Sequence, residues 1–199
     1  MRWLWSPPSN LRLRELLRQQ AIQDPLTGLF NRRYLEDNLL RELARAQRRN
    51  APLCLAMLDL DHFKRFNDAY GHEAGDLLLR ELGRVLRENL RKSDIVCRYG
   101  GEEFVLVLPD SSVADTRARV EQISVLVKGL QIRRGEQLLA ATTVSAGIVS
   151  VPEHGSTVEE LVRSADGALY AAKQAGRDRV AVCPARNDRA EANREEADA

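Results

Sequence analysis

The chain has 199 residues, 44% of them hydrophobic, which is enough for one domain with a substantial core and too few for two. Its 30 basic and 29 acidic side chains give a net charge of +1, so no overall field attracts nucleic acid or an anionic membrane surface. No apolar run approaches the roughly 18 residues of a membrane span, and MRWLWSPPSN lacks the apolar core of a secretory signal. We therefore expect a cytoplasmic protein, without a membrane span and without nucleic acid as a partner.

The first half of the chain alternates helical and strand patterns. After a break at two prolines, LRLRELLRQQAIQ predicts a linker helix, which ends near Pro25 because proline disfavours helix in the residue before it. The apolar run APLCLAMLDLD predicts a central strand that is buried on both faces. Helical patterns lie on both sides of this strand, over residues 31–49, in a short piece after Asp61, and over residues 71–91.

The second half predicts two hairpins, two helices and two further strands. IVCRYGGEEFVLVLP predicts a hairpin with a two-residue turn at Gly100 and Gly101, where glycine adopts positive φ without a steric penalty. Helices over 116–128 and 157–174, a small hairpin around Gly135 and the strands TVSAGIVSV and RVAVC complete the pattern. Alternating strands and helices with two hairpins predict one α/β sandwich with a mixed sheet.

The predicted domain limits follow from this pattern. An N-terminal segment with the linker helix occupies residues 1–23, the folded domain residues 24–183, and a polar tail residues 184–199. The tail lacks apolar periodicity, and we expect it to be disordered. The three cysteines, Cys54, Cys97 and Cys183, are odd in number and widely separated, which favours buried free thiols over disulfides or a zinc site.

Two pairs of carboxylates stand next to nearly apolar strands. Asp59 and Asp61 end the central strand, and Glu102 and Glu103 follow the glycine pair of the hairpin. If these strands are neighbours, Asp59 and one glutamate meet, and their repulsion requires protons or a cation. Oxygen ligands without His or Cys favour Mg²⁺ or Mn²⁺. Either pair alone is better explained as a solvated strand end, but the two pairs together favour a metal.

The residues after Asp61 could hold a phosphorylated nucleotide. A helix that starts there would direct the backbone N–H groups of His62, Phe63 and Lys64 towards an anion, with the Lys64 ammonium beside them. Asn67 and Asp76 could together accept hydrogen bonds from guanine N1–H and N2–H₂ and donate to O6. They could equally be a helix-interior residue and a helix-start charge, and the residues alone leave these two interpretations open.

Five stretches of the sequence resemble, in order and spacing, the GGDEF family of diguanylate cyclases, here in a GGEEF variant. They are DPLTGLFNRR, LDLDHFKRFNDAYGHEAGD, RYGGEEF, TVSAGI and ADGALYAAKQAGRDR, and the resemblance covers about residues 24–182. It implies a fold like that of nucleotidyl cyclases and polymerase palms, with a ferredoxin-like core and a central, mostly antiparallel mixed sheet wrapped by helices. Glu102 stands where aspartate is commonest in the family, and Asp178 where asparagine is frequent.

The resemblance also implies a reaction. Two GTP molecules would be condensed into cyclic di-GMP with release of pyrophosphate, by metal-assisted attack of a 3′-hydroxyl on an α-phosphate in a two-fold homodimer. The metal ligands, for Mg²⁺ or Mn²⁺ and two ions per site, would be Asp59, the Leu60 carbonyl, Glu102 and Glu103, with Asp59, Glu102 and Glu103 as the catalytic residues. The guanine would be read by Asn67 and Asp76.

The remaining implied roles concern phosphates, backbone access and regulation. Phosphate would be bound by Phe63, Lys64, Lys173 and Arg177, and Gly100 and Gly101 would let the substrate approach the backbone. Arg91 and Asp94 match the family's RxxD site for inhibition by the product, although a surface ion pair would give the same pattern. Two alternatives to the cyclase are a catalytically silent cyclic di-GMP receptor acting through the RxxD site and a different nucleotidyl transferase on the same palm.

Overall fold

The structure is a computed structural model that describes residues 21–139 and 142–185. Its strands are β1 (Phe30–Asn31), β2 (Leu53–Leu60), β3 (Ile95–Arg98), β4 (Glu103–Pro109), β5 (Arg133–Arg134), β6 (Gln137–Leu138), β7 (Val144–Val151) and β8 (Val180–Val182). Its helices are α1 (Arg32–Arg49), α2 (Phe63–Tyr70), α3 (His72–Asn89), α4 (Val113–Lys128) and α5 (Val158–Gln174). Ala21 and Ile22 are also helical, and the rest of the predicted linker helix lies outside the described residues.

The main sheet has six strands in the order β1-β3-β4-β2-β7-β8, and β5 pairs with β6 separately. β2 is antiparallel to both of its neighbours, β4 and β7, while the edge strands β1 and β8 run parallel to β3 and β7. All eight residues of β2 are buried, as its continuous apolar run predicts for a strand covered on both faces. The predicted mixed, mostly antiparallel sheet flanked by helices is therefore confirmed.

Helices cover both faces of the sheet because side chains alternate along each strand. Leu55 and Met57 of β2 pack against apolar residues of α1 and α5 on one face. Ala56 and Leu58 pack against α2, α3 and α4 on the other. Met57 and Asp59 point to the same face by this alternation, so the end of β2 presents a carboxylate on the α5 side.

Side-chain caps fix the starts of three helices in the described residues, α1, α4 and α5. The Ser112 side chain caps α4, which starts at Val113 rather than at the predicted residue 116, and the starts of α1 and α5 are consistent with the sequence prediction. The Asn31 side chain accepts a hydrogen bond from the backbone N–H of Tyr34 and starts α1. Thr157 and Glu160 form a capping box at the start of α5. The position of α5 matters for the site, because its C-terminal end lies beside the end of β2.

The turn of the β3–β4 hairpin differs from the prediction. Four residues connect the strands, and the described glycines with positive φ are Gly28, Gly71, Gly135 and Gly176, so the predicted positive φ at Gly100 and Gly101 is wrong. A four-residue connection distributes the reversal over more bonds than a two-residue turn, so left-handed glycine is not required. The Tyr99 and Gly100 N–H groups both donate to the Glu103 carbonyl oxygen, at 2.8 and 3.2 Å.

The three cysteines are free and buried, which confirms the sequence prediction. Burial raises the pKa of the Cys97 thiol to about 12, so it is an unreactive core residue. None of the helices in the described part of the chain is both long and apolar enough to cross a membrane. The predicted tail lies outside the described residues from 186 onward, and the predicted domain limits stay a prediction.

Candidate active site

The carboxyl end of β2 and the β3–β4 hairpin meet at one rim of the sheet. Asp59 is directly opposite Glu103 of β4 and Ser145 of β7 in the strand registers. The Leu60 N–H donates to the Glu102 carbonyl oxygen at 3.3 Å. The two predicted carboxylate pairs are therefore brought together, as expected from neighbouring strands.

Asp59 is a buried carboxylate with a cationic partner. It is 5% exposed, and the Lys173 ammonium at the end of α5 lies 2.8 Å from its Oδ1 atom. Burial raises the pKa of Asp59, the charge of Asp61 raises it further, and Lys173 and Arg177 only partly oppose this. The ionised form of Asp59 is therefore held at a cost that a stronger cation would relieve.

Glu102 lies within electrostatic range of the same group. Its pKa is raised by burial, then by the charge of Asp59 and, less, by Glu103, while Lys173 lowers it. Carboxylates close enough for the charge of one to raise the pKa of another are typical of functional sites. This rim therefore favours the binding of a cation.

These residues fit a magnesium or manganese ion that is completed by substrate. In the described residues no group of three or more Asp, Glu, His or Cys side chains forms a metal site by itself. Magnesium is commonly held by only one or two carboxylates together with substrate phosphates. The Lys173 ammonium already occupies a cation position against Asp59. The donor set of Asp59, Glu102 and the Leu60 carbonyl therefore suits a hard divalent cation.

Gly100 and Gly101, both predicted to let the substrate approach the backbone, have different surroundings in the turn. A Cβ atom at Gly100 would lie 2.7 Å from the Glu103 Oε2 atom, whereas one at Gly101 would have no atom of the described residues within 4 Å. Glu103 also lines a groove of about 380 Å³ with Met57 and Tyr99. Gly100 thus makes room for Glu103, and Gly101 alone faces open space that a substrate could use.

The start of α2 has features of an anion site. His62, the N-cap, has a φ of 58° and makes no side-chain capping hydrogen bond, so the first N–H groups of the helix are not satisfied by a cap. The Phe63 side chain is only 7% exposed and packs in the core, which leaves only its backbone for a ligand. Lys64 is exposed and free to reach outward.

Asn67 has an unused acceptor at the packing contact between α2 and α3. Its Oδ1 atom is buried and has no hydrogen-bond partner among the residues that the structure describes. A Cβ atom on Gly75 would lie 1.9 Å from this oxygen, so only glycine leaves it room. Asp76, the next residue, is partly buried. A buried acceptor without a partner is costly, and a ligand N–H group would satisfy it.

The other two predicted phosphate residues lie at the end of α5. Lys173 is in its last turn, and Arg177 follows in a turn over residues 176–178 with left-handed backbone. Arg177 is close enough to lower the pKa of Asp59. The two cations therefore converge on the carboxylate rim, although Lys173 is paired with Asp59 in this structure.

Two residues, Arg98 and Asp61, support the site through hydrogen bonds that the sequence does not predict. The Arg98 guanidinium donates to the Gly101 carbonyl oxygen from Nη2 at 2.7 Å and from Nε at 3.2 Å, and its Nη1 atom contacts both carboxylate oxygens of Asp24. Burial raises the pKa of Asp24, but hydrogen bonds from Thr27 and the charge of Arg98 outweigh it and hold the pKa below its usual value. Asp61, the other, was grouped with the metal carboxylates, yet neutral donors satisfy it.

The predicted product site forms a separate cavity. Arg91 and Asp94 line a cavity of about 250 Å³ together with Arg87 and Lys92. One oxygen of the Asp94 carboxylate accepts from the Arg91 N–H at 2.8 Å and so fixes the local turn. The cavity therefore carries three basic side chains and one buried acid, a composition that suits an anion with polar edges.

Comparisons with known proteins agree with this geometry. The family profile described as "Diguanylate cyclase, GGDEF domain" matches residues 21–179. Diguanylate cyclase DgcP of Pseudomonas aeruginosa is 45% identical over 166 residues, which cover 83% of this chain and 24% of that protein. Response regulator PleD of Caulobacter vibrioides is 40% identical over 162 residues, which cover 80% of this chain and 36% of that protein. The chain thus spans about a quarter to a third of the length of these relatives.

Solved structures give the same result. The GGDEF domain of DgcB from Caulobacter crescentus, in complex with c-di-GMP, has a TM-score of 0.77 at 37% identity and covers 82% of this chain and 96% of that chain. The structure of diguanylate cyclase SiaD from Pseudomonas aeruginosa, in complex with its activator SiaC, matches with a TM-score of 0.78 at 40% identity. The match covers 85% of this chain and 65% of that chain.

Proposed function

Because the chain belongs to the GGDEF-domain family of diguanylate cyclases, we propose that it condenses two GTP molecules into cyclic di-GMP. In each half-reaction the 3′-hydroxyl of one GTP loses its proton to solvent and its oxygen forms a bond to the α-phosphorus of the other GTP, while the bond to the departing pyrophosphate breaks. Two such steps give the cyclic dinucleotide and two pyrophosphate ions. We further propose that this GTP-consuming reaction takes place in the bacterial cytoplasm.

The observation that carries the proposal is the meeting of Asp59 and Glu102 at one rim, each with a raised pKa. Two partly desolvated carboxylates suit a divalent cation, and they stand next to the uncapped start of α2, which suits phosphate. A rim with this combination favours a nucleoside triphosphate with its metal over a neutral substrate.

Asp59, Glu102 and the Leu60 carbonyl are the proposed ligands of Mg²⁺ or Mn²⁺, with Glu103 reaching a second ion. When bound, the metal would lower the pKa of the attacking hydroxyl and neutralise charge on the α-phosphate. The chain itself contributes orientation. The first N–H groups of α2 and the side chains of Lys64, Lys173 and Arg177 would hold the β- and γ-phosphates in line with the leaving direction. With the Lys173 ammonium on a phosphate oxygen, the Asp59 carboxylate would be available to hold the metal.

Guanine would be selected by Asn67 and Asp76. The unpartnered Asn67 Oδ1 atom can accept from guanine N1–H or N2–H₂, and the Asp76 carboxylate can accept a second hydrogen bond from the same edge. Adenine has no donor at N1, so it would leave the buried acceptor unsatisfied. Rejection of ATP would thus follow from a lost hydrogen bond in a desolvated pocket.

Two copies of the domain are required by the chemistry. The product has two-fold symmetry and each domain provides one GTP site, so two sites must face each other around a two-fold axis. The proposed active form is therefore a homodimer.

Product identification tests the activity directly. The purified chain is incubated with Mg²⁺ and either GTP or ATP, and the products are separated and identified by mass. Cyclic di-GMP and pyrophosphate are expected from GTP, with no cyclic product from ATP and none from a Glu102→Gln variant. A folded wild-type chain that converts neither nucleotide would contradict the proposal and leave the silent receptor as the alternative.

The Gly75→Ala variant tests the guanine site. Its added methyl group would meet the Asn67 Oδ1 atom, so Asn67 must move away from the guanine edge. We expect the KM for GTP to rise about tenfold, since one specific hydrogen bond in a buried site is lost. A Gly167→Ala variant is the matched control, because a Cβ atom there meets nothing within 4 Å. An unchanged KM in Gly75→Ala would remove Asn67 from the guanine site.

We also propose that cyclic di-GMP inhibits the enzyme at the cavity of Arg91 and Asp94. The support is the cluster of basic side chains around one buried acid, which matches an anionic dinucleotide with guanine edges. An Arg91→Ala variant is expected to keep its initial rate and to lose inhibition by added product. Unchanged inhibition in this variant would exclude the cavity as the inhibitory site.

A further inference from the structure

The Asp61 carboxylate is buried yet fully satisfied by hydrogen bonds from two distant segments. It is 4% exposed. Its Oδ1 atom accepts from the Ser145 hydroxyl at 2.7 Å, and its Oδ2 atom accepts from the Thr143 hydroxyl at 2.6 Å. Oδ2 also accepts from the Asp178 backbone N–H at 3.1 Å. One side chain at the end of β2 therefore joins the start of β7 to the 176–178 turn.

The 176–178 turn has an unusual backbone that needs support. Gly176, Arg177 and Asp178 have φ angles of 110°, 63° and 51°, so three consecutive residues are left-handed and two of them carry a Cβ atom. Such residues persist where the surrounding structure holds them, and they are concentrated at functional sites. The Arg177 N–H donates to the Ala172 carbonyl oxygen at 3.1 Å, which ties the turn to α5.

The backbone N–H group and the side-chain carboxylate of Asp178 both hold the turn against the rest of the domain. Its N–H group binds Asp61, and its Oδ2 atom lies 2.8 Å from the Lys128 ammonium on α4. The bond to Asp61 is partly buried and is made to a carboxylate that is 4% exposed, whereas both side chains of the Lys128 pair are more than a third exposed, so that pair contributes less. Asp61 is thus the main contact that fixes the position of Arg177 relative to the end of β2.

We propose that Asp61 is a positioning residue for triphosphate binding, because its carboxylate holds the 176–178 turn and thereby directs Arg177 to the phosphate side of the site. This inference rests on the proposed function. Asp61 does not touch the nucleotide in this proposal, and it acts through the backbone N–H of Asp178. It therefore affects affinity for the β- and γ-phosphates and leaves guanine recognition unchanged.

Binding of two nucleotides separates this role from a general loss of structure. The dissociation constants of 3′-deoxy-GTP, which lacks the attacking hydroxyl, and of GMP are measured by calorimetry at saturating Mg²⁺. For Asp61→Asn we expect binding of 3′-deoxy-GTP to weaken about tenfold, since a charged acceptor is replaced by an amide. Binding of GMP should change less than about twofold, since GMP has no β- or γ-phosphate for Arg177 to hold.

The direction of the change in 3′-deoxy-GTP affinity distinguishes a displaced turn from the loss of the Asp61 charge. Removing a negative charge near the site would by itself strengthen the binding of a triphosphate. Weaker binding therefore reports the displaced turn. Ser145→Ala is the matched control, because it removes a hydrogen bond to Oδ1 of the same carboxylate and keeps the bond from Asp178 to Oδ2. We expect it to bind both nucleotides as wild type does.

The possible results separate a failure of the positioning role of Asp61 from a failure of the proposed function. If Asp61→Asn binds 3′-deoxy-GTP as tightly as wild type, or loses affinity equally for both nucleotides, the positioning role is overturned. If Asp61→Asn does not fold, Asp178→Asn decides, because it loosens the same turn by removing the pair with Lys128, and the negative charge that it removes would by itself strengthen triphosphate binding. It should weaken 3′-deoxy-GTP binding about threefold without affecting GMP, and equal effects on both would overturn the inference. A wild-type chain that binds neither nucleotide would overturn the proposed function together with it.

Discussion

Asp59 and Asp61 are the same residue type, two positions apart and almost equally buried, yet their surroundings differ. Asp61 accepts three hydrogen bonds from neutral donors that belong to the fold. Asp59 is paired with the ammonium of Lys173, a side chain that is 29% exposed and can turn away. The pKa of Asp59 is raised by burial and by the charge of Asp61.

This difference indicates how one strand end supports both structure and chemistry. Fixed donors stabilise the charge of Asp61, so that residue can hold neighbouring segments in place. The charge of Asp59 is stabilised only by a movable cation, so an incoming divalent cation gains from replacing it. A buried acid with a raised pKa and an exchangeable partner is therefore a better indicator of function than burial alone.

The largest expected effect is on turnover. Asp59→Asn and Glu102→Gln should each lower the rate of cyclic di-GMP formation about a thousandfold, since several kcal/mol of metal-dependent stabilisation are lost. The rate is measured by pyrophosphate release from GTP at saturating Mg²⁺. Both variants should keep the far-ultraviolet circular dichroism of wild type. Turnover within tenfold of wild type in either variant would separate that carboxylate from the chemistry.

The two aspartates should differ in the sign of their effect on stability. Without Mg²⁺ and near neutral pH, Asp61→Asn should lower the free energy of unfolding by about 3 kcal/mol, because buried donors lose a charged acceptor. Asp59→Asn should leave it unchanged or raise it. A raised folded pKa means that ionisation of Asp59 costs stability above that pKa, and a neutral amide removes this cost. Urea unfolding measures both values, and a loss of equal size in the two variants would contradict the comparison.

The sequence was sufficient for the helices, for the longer strands and for the meeting of the carboxylates, but not for the two-residue strand β1 or for the contacts that support the carboxylates. β2 follows from an uninterrupted apolar run, and the position of Glu102 follows from the pairing of β2 with β4. The partners of Asp61 are 82 to 117 residues away along the chain, so no local pattern identifies them. The predicted positive φ at Gly100 and Gly101 was wrong for a related reason. The conformation of these glycines depends on a four-residue connection and on space for Glu103.

The hairpin side of the rim has its own supporting residue, Arg98, with a smaller expected effect. Arg98→Lys keeps a charge that can pair with Asp24 but lacks the two N–H groups that hold the Gly101 carbonyl oxygen. We expect kcat to fall about fivefold with little change in the KM for GTP, because Glu102 is less well placed while the phosphate and guanine contacts remain. Steady-state kinetics measures this, and a change in KM alone would assign Arg98 to substrate binding instead.

The smallest expected effect concerns pH and connects the two aspartates. Protons and Mg²⁺ compete for Asp59 and Glu102, and the pKa values of both carboxyl groups are raised. Ordinary carboxylates titrate at roughly 4. The apparent Mg²⁺ affinity should therefore begin to fall at a higher pH than it would with ordinary carboxylates. Asp61→Asn removes a charge that raises the pKa of Asp59, so its transition should move to lower pH. Lys173→Met removes a charge that lowers both pKa values, so its transition should move to higher pH. The Mg²⁺ concentration that gives half of the maximal rate is measured across the acidic range, and shifts in the same direction for both variants would show that Asp61 and Lys173 do not act on Asp59 through their charges.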